Sequence, residues 1–316
     1  MNSENYLLSI CIPTHNRSEC LKNNIESIIA QQAFHDNKVE IVIFNNASTD
    51  DTDYVASYYS EKYEQINYFA SKENMGDERF PYILSLGRGK LRKLSNDSVT
   101  YVEGSLDKLC KLIEDNEKGR PVLFFINKDN ENPEIEQLDC DFKDFVLNAS
   151  FQMTWISSFA IWEDECKSYR EDFLGCDKKL WQVAKLLELV NAKQRCIIYY
   201  KNFMQVQGLK KKNISYGLYE IFYVNFFSLL EPYIKKNCIS KEDVEVIKKD
   251  LLYNFFTEYI IKKKLLKKEL EYSESENLQE LVFNEYKSKP YWRDYEHFFR
   301  KRLIKMRIKK LLGKTL

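Results

Sequence analysis

Two apolar runs near the start of the chain each break off in a polar loop. Leu7-Leu8-Ser9-Ile10-Cys11-Ile12 ends at Pro13-Thr14-His15-Asn16-Arg17, and Val39-Glu40-Ile41-Val42-Ile43-Phe44 ends at Asn45-Asn46-Ala47-Ser48-Thr49-Asp50. Between them Leu21, Ile25, Ile28 and Ile29 recur at helical spacing, which predicts a helix from Ser18 to Gln32. A strand, a helix and a second buried strand make a βαβ unit. In such units ligands lie outside the carboxyl ends of the strands, where these two loops fall.

The alternation continues. Ser48 is placed to cap the next helix, with Asp50, Asp51 and Asp53 in a first turn that favours carboxylates. Strands are predicted at Ile66–Ala70, Pro121–Ile126 and Cys196–Tyr200, with helices near Leu106–Ile113 and Lys178–Val190. A segment punctuated by Gly76, Gly87 and Gly89 lies between, residues 127–150 read as an acidic excursion, and Trp155 to Trp162 as an apolar stretch. Beyond Gly208 helical periodicity takes over and glycine nearly vanishes. The expected fold class is α/β, a mostly parallel sheet flanked by helices, with a domain over 1–210 and a helical region over 211–316.

Composition narrows the function classes. The 316 residues include 48 basic and 48 acidic side chains, so overall charge directs the chain to neither nucleic acid nor membrane. The 8 cysteines are dispersed without a Cys-x-x-Cys pair, and only 3 histidines are present, which argues against a structural metal centre. Free thiols in a reducing cytosol fit this usage better than disulfides. The amino terminus lacks a signal peptide's basic-then-apolar layout, and no run reaches the roughly 18 apolar residues of a membrane span. The expected location is the cytoplasm, with peripheral attachment to the inner face of the membrane as an option.

The motifs resemble those of glycosyltransferase family 2, inverting enzymes of the GT-A fold, with abequosyltransferase-like and rhamnosyltransferase-like branches nearest. Ser9 to Arg17 matches the pattern S-x-x-I-P-T-Y-N-R with His15 in place of Tyr; Val39 to Asp50 matches I-x-V-x-D-N-x-S-x-D with Asn45 in place of Asp; Asn74-Met75-Gly76 matches N-x-G. The resemblance covers about residues 6–200. It implies a nucleotide-sugar donor, UDP-linked by the family's usual preference, held by Thr14, Asn16, Arg17, Asn45, Asn74 and Gly76. In-plane donors and acceptors suit a base and ribose, and Arg17 suits a pyrophosphate. An amide at Asn45 keeps one acceptor but loses the charge.

The family's acidic signature for Mn²⁺ or Mg²⁺ falls on Leu94-Ser95-Asn96-Asp97-Ser98, close to a branch that writes it L-N-N-D-T. That makes Asp97 the expected metal ligand, with Asn96 helping to orient the site; the other reading of Asp97-Ser98 is a plain turn. Arg92 and Lys93 stand where a buried apolar strand is expected, and one reading has these cations take over part of the metal's work. An inverting transfer also needs a general base. By resemblance it lies in the second half of the domain, where Asp177 opens the Lys178 helix; Asp172 and Glu163 are reserves, and an ordinary N-cap is the other reading of Asp177. Trp155 and Trp162 either line an acceptor pocket or pack in the core, and His15 is expected to pack or cap.

From Arg293 to Lys314 nine basic residues face two acidic ones, interleaved with Phe298, Leu303, Ile304, Ile308, Leu311 and Leu312. A basic amphipathic helix of this kind can lie on an anionic membrane surface, or pack its apolar face on the domain. Ile221 to Leu230 reads as helical core or an oligomer contact. The expectation is transfer of a sugar, with inversion, to a glycan or polyprenyl-linked acceptor in bacterial capsule, O-antigen or related surface polysaccharide. The rival from another class is a non-catalytic GT-A-like subunit that binds a nucleotide-sugar. A sugar nucleotidyltransferase would need a glycine-rich loop after the first strand, which Pro13-Thr14-His15-Asn16 is not.

Overall fold

The computed structural model describes residues 6–130, 132, 134–166, 173–207, 217–266 and 277–312. They fall into two compact units that divide between residues 209 and 210. In the first unit the elements run β1 (Leu8–Thr14), α1 (Ser18–Ile29), α2 (Gln32–His35), β2 (Val39–Asn46), α3 (Thr52–Lys62), β3 (Ile66–Ser71), α4 (Arg79–Leu86), β4 (Leu91–Leu94) and β5 (Val99–Tyr101). They continue with α5 (Ser105–Asn116), β6 (Val122–Ile126), β7 (Gln137–Cys140), α6 (Phe142–Ala149), β8 (Ala160–Trp162), α7 (Trp181–Lys193), β9 (Cys196–Tyr200) and β10 (Met204–Val206).

The main sheet has the order β3-β2-β1-β4-β8, with β8 alone antiparallel. A bridge between Phe124 and Phe159 joins it to a second sheet, β6-β9-β7, and β5 pairs with β10 apart from both. β1 and β2 are buried along their whole length, which is why both read as continuous apolar runs rather than alternating ones. Ile10, Ile12, Ile41 and Ile43 face a core that includes Leu21, Ile25 and Ile28 of α1. The predicted mostly parallel α/β sheet flanked by helices is the fold observed.

Polar residues inside this sheet fix the register of its strands. Ser9 lies opposite Glu40, donates to its Oε1 at 2.6 Å, and accepts the Gly89 N–H at 2.7 Å. Arg88 Nε donates to Glu40 Oε2 at 2.8 Å, so the buried carboxylate is neutralised where the chain turns into β4. A Cβ on Gly89 would sit 2.6 Å from the Ser9 backbone nitrogen, closer than van der Waals contact permits. Only glycine lets β4 enter beside β1.

Several expected boundaries move. The helix expected from Lys178 begins at Trp181, because Lys179 adopts a left-handed φ of 56° that helical geometry excludes. Asp177 therefore lies in a separate 3₁₀ turn, Cys176–Lys178, and does not cap that helix. Ser48 does not cap α3; Asp50 Oδ1 accepts the Thr52 N–H at 3.0 Å instead. The segment read as an excursion contains β7 and α6, and the apolar Trp155–Trp162 stretch divides into a 3₁₀ turn at Ile156–Ser158 and β8 at Ala160–Trp162. Asp172 and the expected boundary between residues 210 and 211 lie outside the described residues.

The second unit holds α8 (Phe226–Lys235), α9 (Lys241–Asp250), α10 (Thr257–Leu266), α11 (Leu278–Tyr286) and α12 (Trp292–Leu311). Ser240 and Asp243 exchange hydrogen bonds of 2.8 and 3.1 Å at the start of α9, a reciprocal cap. Its core is aromatic: Phe283 of α11 meets Trp292, Tyr295 and Phe299 of α12 edge-on. Ile221, Phe226 and Leu230, in the stretch read as helical core, are buried. No described helix is long and apolar enough to cross a membrane.

Candidate functional site

Strand order reverses between β1 and β4, since β2 and β3 follow β1 outward on one side while β4 lies on the other. The crevice at such a reversal is where α/β sheets bind ligands. Thr14 ends β1, Arg17 opens α1 and Asp97 follows β4, so all three reach this crevice. Arg17 pairs with Asp97 Oδ1 at 2.8 Å and Thr14 Oγ1 donates to Asp97 Oδ2 at 3.0 Å. Asp97 and Thr14 are buried, whereas a quarter of the Arg17 side chain is open to solvent.

The loops after β1 and β2 are stitched together. Asn16 N–H donates to Ser48 Oγ at 2.9 Å, and Thr49 N–H donates to Asn16 Oδ1 at 2.7 Å. Arg17 N–H reaches Thr52 Oγ1 at 3.1 Å, and Ser18 N–H reaches Asp50 Oδ2 at 3.2 Å. Asn16 holds a left-handed φ of 53°, a conformation asparagine tolerates better than most residues. His15 Nδ1 lies 2.8 Å from the Asn46 carbonyl and must donate to it, which leaves Nε2 to accept from Asn16. His15 thus orders the loop, in line with its expected packing or capping role.

Asn45 and Asn74 serve the same scaffold. Asn45 Oδ1 accepts the Ser48 N–H at 2.9 Å, and its Nδ2 donates to Tyr68 Oη at 3.1 Å. Asn46 Nδ2 donates to Asn74 Oδ1 at 2.9 Å, while Asn46 Oδ1 accepts the Met75 N–H at 2.8 Å. Gly76 takes a φ of 56° with open space where a Cβ would be, so glycine is favoured there by backbone conformation rather than by crowding.

Asn96 is anchored through its backbone, its N–H to Ser157 Oγ at 2.9 Å and its carbonyl to Asn24 Nδ2 at 3.0 Å. Gln207 Nε2 donates to the Asp97 carbonyl at 3.3 Å and the Val99 carbonyl at 3.2 Å. Asn24, Ser157 and Gln207 escaped the sequence reading. Asn24 alone left a signal, as a polar residue on the apolar face of α1.

Arg92 and Lys93 are not the cations of this crevice. Arg92 donates to the Leu84 carbonyl at 2.9 Å, and the Lys93 amine is fully buried against the Ser157 carbonyl and the Phe125 ring. Burial pushes the Lys93 amine down to about 7. Among the described residues, Arg17 is the cation that pairs with Asp97.

The candidate bases separate. Glu163 follows β8, whose Trp162 pairs with Leu91 at the amino end of β4, and it bonds Arg120 at 3.1 Å. It therefore sits at the opposite end of the sheet from Asp97. Asp177 lies at the correct end: the next helix starts at Trp181, which packs on Phe159, whose carbonyl accepts the Leu94 N–H. Its side chain is exposed and pairs with Lys178 at 3.2 Å. The Asp177 turn packs against the turn Gly76–Glu78, which carries Asp77. Burial raises the Asp77 pKa against the opposing pull of Arg79 and of the Trp181 N–H, and its Oδ2 has no hydrogen-bond partner among the described residues. Trp162 is core, donating from Nε1 to the Pro121 carbonyl at 2.7 Å; Trp155 is half-buried.

Asp97 supplies a single carboxylate, and no group of three His, Cys, Asp or Glu gathers among the described residues. A cation held by the protein alone does not fit that donor set. A cation held mainly by a donor's diphosphate does, since Mg²⁺ commonly takes one or two carboxylates together with substrate phosphates. A separate cavity of about 500 Å³, lined by Lys108, Lys111, Leu112, Tyr199, Tyr200 and Phe203 among others, contains none of these residues.

Comparison with known proteins agrees with this architecture. Residues 9–79 match the glycosyl transferase family 2 model. Abequosyltransferase RfbV of Salmonella typhimurium is 35% identical over 106 residues, which are 33% of this chain and 29% of that protein. An uncharacterized glycosyltransferase, MG025 of Mycoplasma genitalium, is 36% identical over 64 residues, 20% of this chain and 21% of that one. The chain thus aligns with less than a third of either relative. S. aureus TarS is similar in fold: its 1–349 fragment in complex with UDP-GlcNAc superposes with a TM-score of 0.56 at 15% identity, covering 84% of this chain and 76% of that one. Full TarS gives 0.55, covering 78% and 44%. By the matched segment over residues 9–79 and the GT-A-like sheet around it, the chain is similar to glycosyl transferase family 2 in sequence at its start and to GT-A glycosyltransferases in fold.

Proposed function

We propose that the protein transfers a sugar, with inversion, from a nucleotide-diphosphate sugar to a glycan or lipid-linked saccharide in bacterial surface polysaccharide synthesis. The observation that carries this reading is the convergence of Thr14, Arg17 and Asp97 at the strand-order reversal, beside two loops already locked in place. UDP is the favoured nucleotide, because the TarS fragment of similar fold is in complex with UDP and with UDP-GlcNAc. Backbone N–H groups and amides of the loops carrying Asn16, Asn45 and Asn74 border the base and ribose. Arg17 turns from Asp97 to the diphosphate.

In the reaction the acceptor oxygen attacks the anomeric carbon as its bond to the diphosphate oxygen breaks on the opposite face. The proton passes to a carboxylate, assigned here to Asp177, and the electron pair leaves on the nucleoside diphosphate. Mn²⁺ or Mg²⁺, held by Asp97 and the donor's own phosphates, would neutralise charge on that leaving group.

The test is turnover over a panel of nucleotide-sugars with and without divalent metal. Asp97→Ala is expected to lower kcat by about 100-fold or more, and Asp177→Asn by a similar factor. Turnover unchanged in Asp97→Ala would overturn the metal assignment. Full activity in Asp177→Asn, with loss in Asp77→Asn, would move the base to Asp77. Nucleotide-sugar binding without turnover of any donor would favour the non-catalytic reading.

A further inference from the structure

The last helix carries two apolar stripes. Tyr295, Phe299 and Met306 are buried against the second unit, and on that side the cations have partners: Arg302 bonds Glu258 at 2.6 Å and Lys310 bonds the Leu265 carbonyl. Roughly half a turn around the helix lie Ile304, Ile308 and Leu311, with Leu312 just past its end. These four are exposed by 56%, 52%, 86% and 66%. Arg300 and Arg307 border this outer stripe on one side, Lys301 and Lys305 on the other. All four cations are exposed and form no ion pair among the described residues.

We infer that this outer face of α12 docks on an anionic lipid surface. An apolar stripe about 12 Å long between two rows of cations is the layout of a helix lying in the plane of a bilayer interface, its apolar side chains among acyl chains and its cations at lipid phosphates. A second copy of the chain fits the face less well. A two-fold contact along the stripe would bring Arg300, Lys301, Lys305 and Arg307 of both copies together without a carboxylate between them. The packed stripe also answers whether the apolar residues of this tail serve the domain or a membrane: different residues of the one helix are placed for each. This inference rests on the helix alone and is independent of the sugar-transfer reading.

The full chain is mixed with vesicles of phosphatidylcholine and phosphatidylglycerol, or of phosphatidylcholine alone, and sedimented. Binding to the anionic vesicles is expected, weakened by salt, and at least about tenfold weaker in an Ile304→Asp, Ile308→Asp double variant. Lys301→Glu with Lys305→Glu is expected to abolish the preference for anionic lipid. All four positions are exposed, so the helical circular dichroism of both variants should match the parent. Equal binding to the two vesicle types, or undiminished binding by the Ile304→Asp, Ile308→Asp variant, would overturn the inference. So would a dimer in sedimentation velocity that this variant dissolves while vesicle binding is absent.

Discussion

Lys93 places an amine in the middle of a strand whose neighbours are apolar, and its consequence is a pH dependence. Its folded pKa of about 7 lies below the ordinary lysine value, so between the two the unfolded chain binds more protons than the folded one. Stability then rises with pH across that window. Above the ordinary cysteine range the trend is opposed, because burial holds Cys11, Cys110, Cys140, Cys166 and Cys196 protonated in the fold. The clean interval is pH 7 to 8, where the gain should be about 1 kcal/mol by denaturant unfolding and should vanish in Lys93→Met. At this scale the sequence marked polar residues at strand ends and was silent about what they touch. Thr14, Arg17 and Asp97 stood out as polar residues at strand ends. The Arg17–Asp97 pair spans residues far apart in sequence, whereas Arg92 and Lys93, read as cations that take over part of the metal's work, lie close to Asp97 in the chain. Direction alone separates them: residues of a strand point to its two faces, and neither of these faces leads to the crevice.

β4 shows how an element is positioned by what precedes it. Gly89 passes so close to Ser9 that any side chain must push β4 away from β1. Gly89→Ala is expected to destabilise the protein by about 1–3 kcal/mol and to weaken nucleotide binding more than a surface substitution of equal cost, because Asp97 rides on that strand. Calorimetry and nucleotide titration on the same variant check both halves. Strands buried on both faces, β1, β2, β6 and β9, were legible as apolar runs. β7 was not: its Gln137-Leu138-Asp139-Cys140 is half exposed at a sheet edge, so no apolar signal marks it. The start of α7 was misplaced for a related reason. Asp177 after Gly175 imitates a capped helix start, and only the left-handed backbone at Lys179 ends that turn before Trp181.

Every residue proposed for the donor site belongs to the first unit. A fragment ending at residue 209 is therefore expected to unfold cooperatively and keep the nucleotide affinity of the whole chain within about threefold, with vesicle binding lost. Isothermal titration and vesicle sedimentation on the fragment and the full chain read these out. The sequence changes to helical periodicity beyond Gly208, and a βα pattern and a helical array bury their apolar residues at different periods. The Arg17–Asp97 pair has a consequence for the protein as a binding machine. On the proposed function, a diphosphate would draw Arg17 from Asp97 Oδ1, and a cation engaging Asp97 would release Arg17 to an anion. Each ligand removes the obstacle to the other, so the factor by which nucleotide tightens metal must equal the factor by which metal tightens nucleotide. On that proposed function, the Arg17–Asp97 pair would thereby couple the binding of metal to that of the nucleotide-sugar.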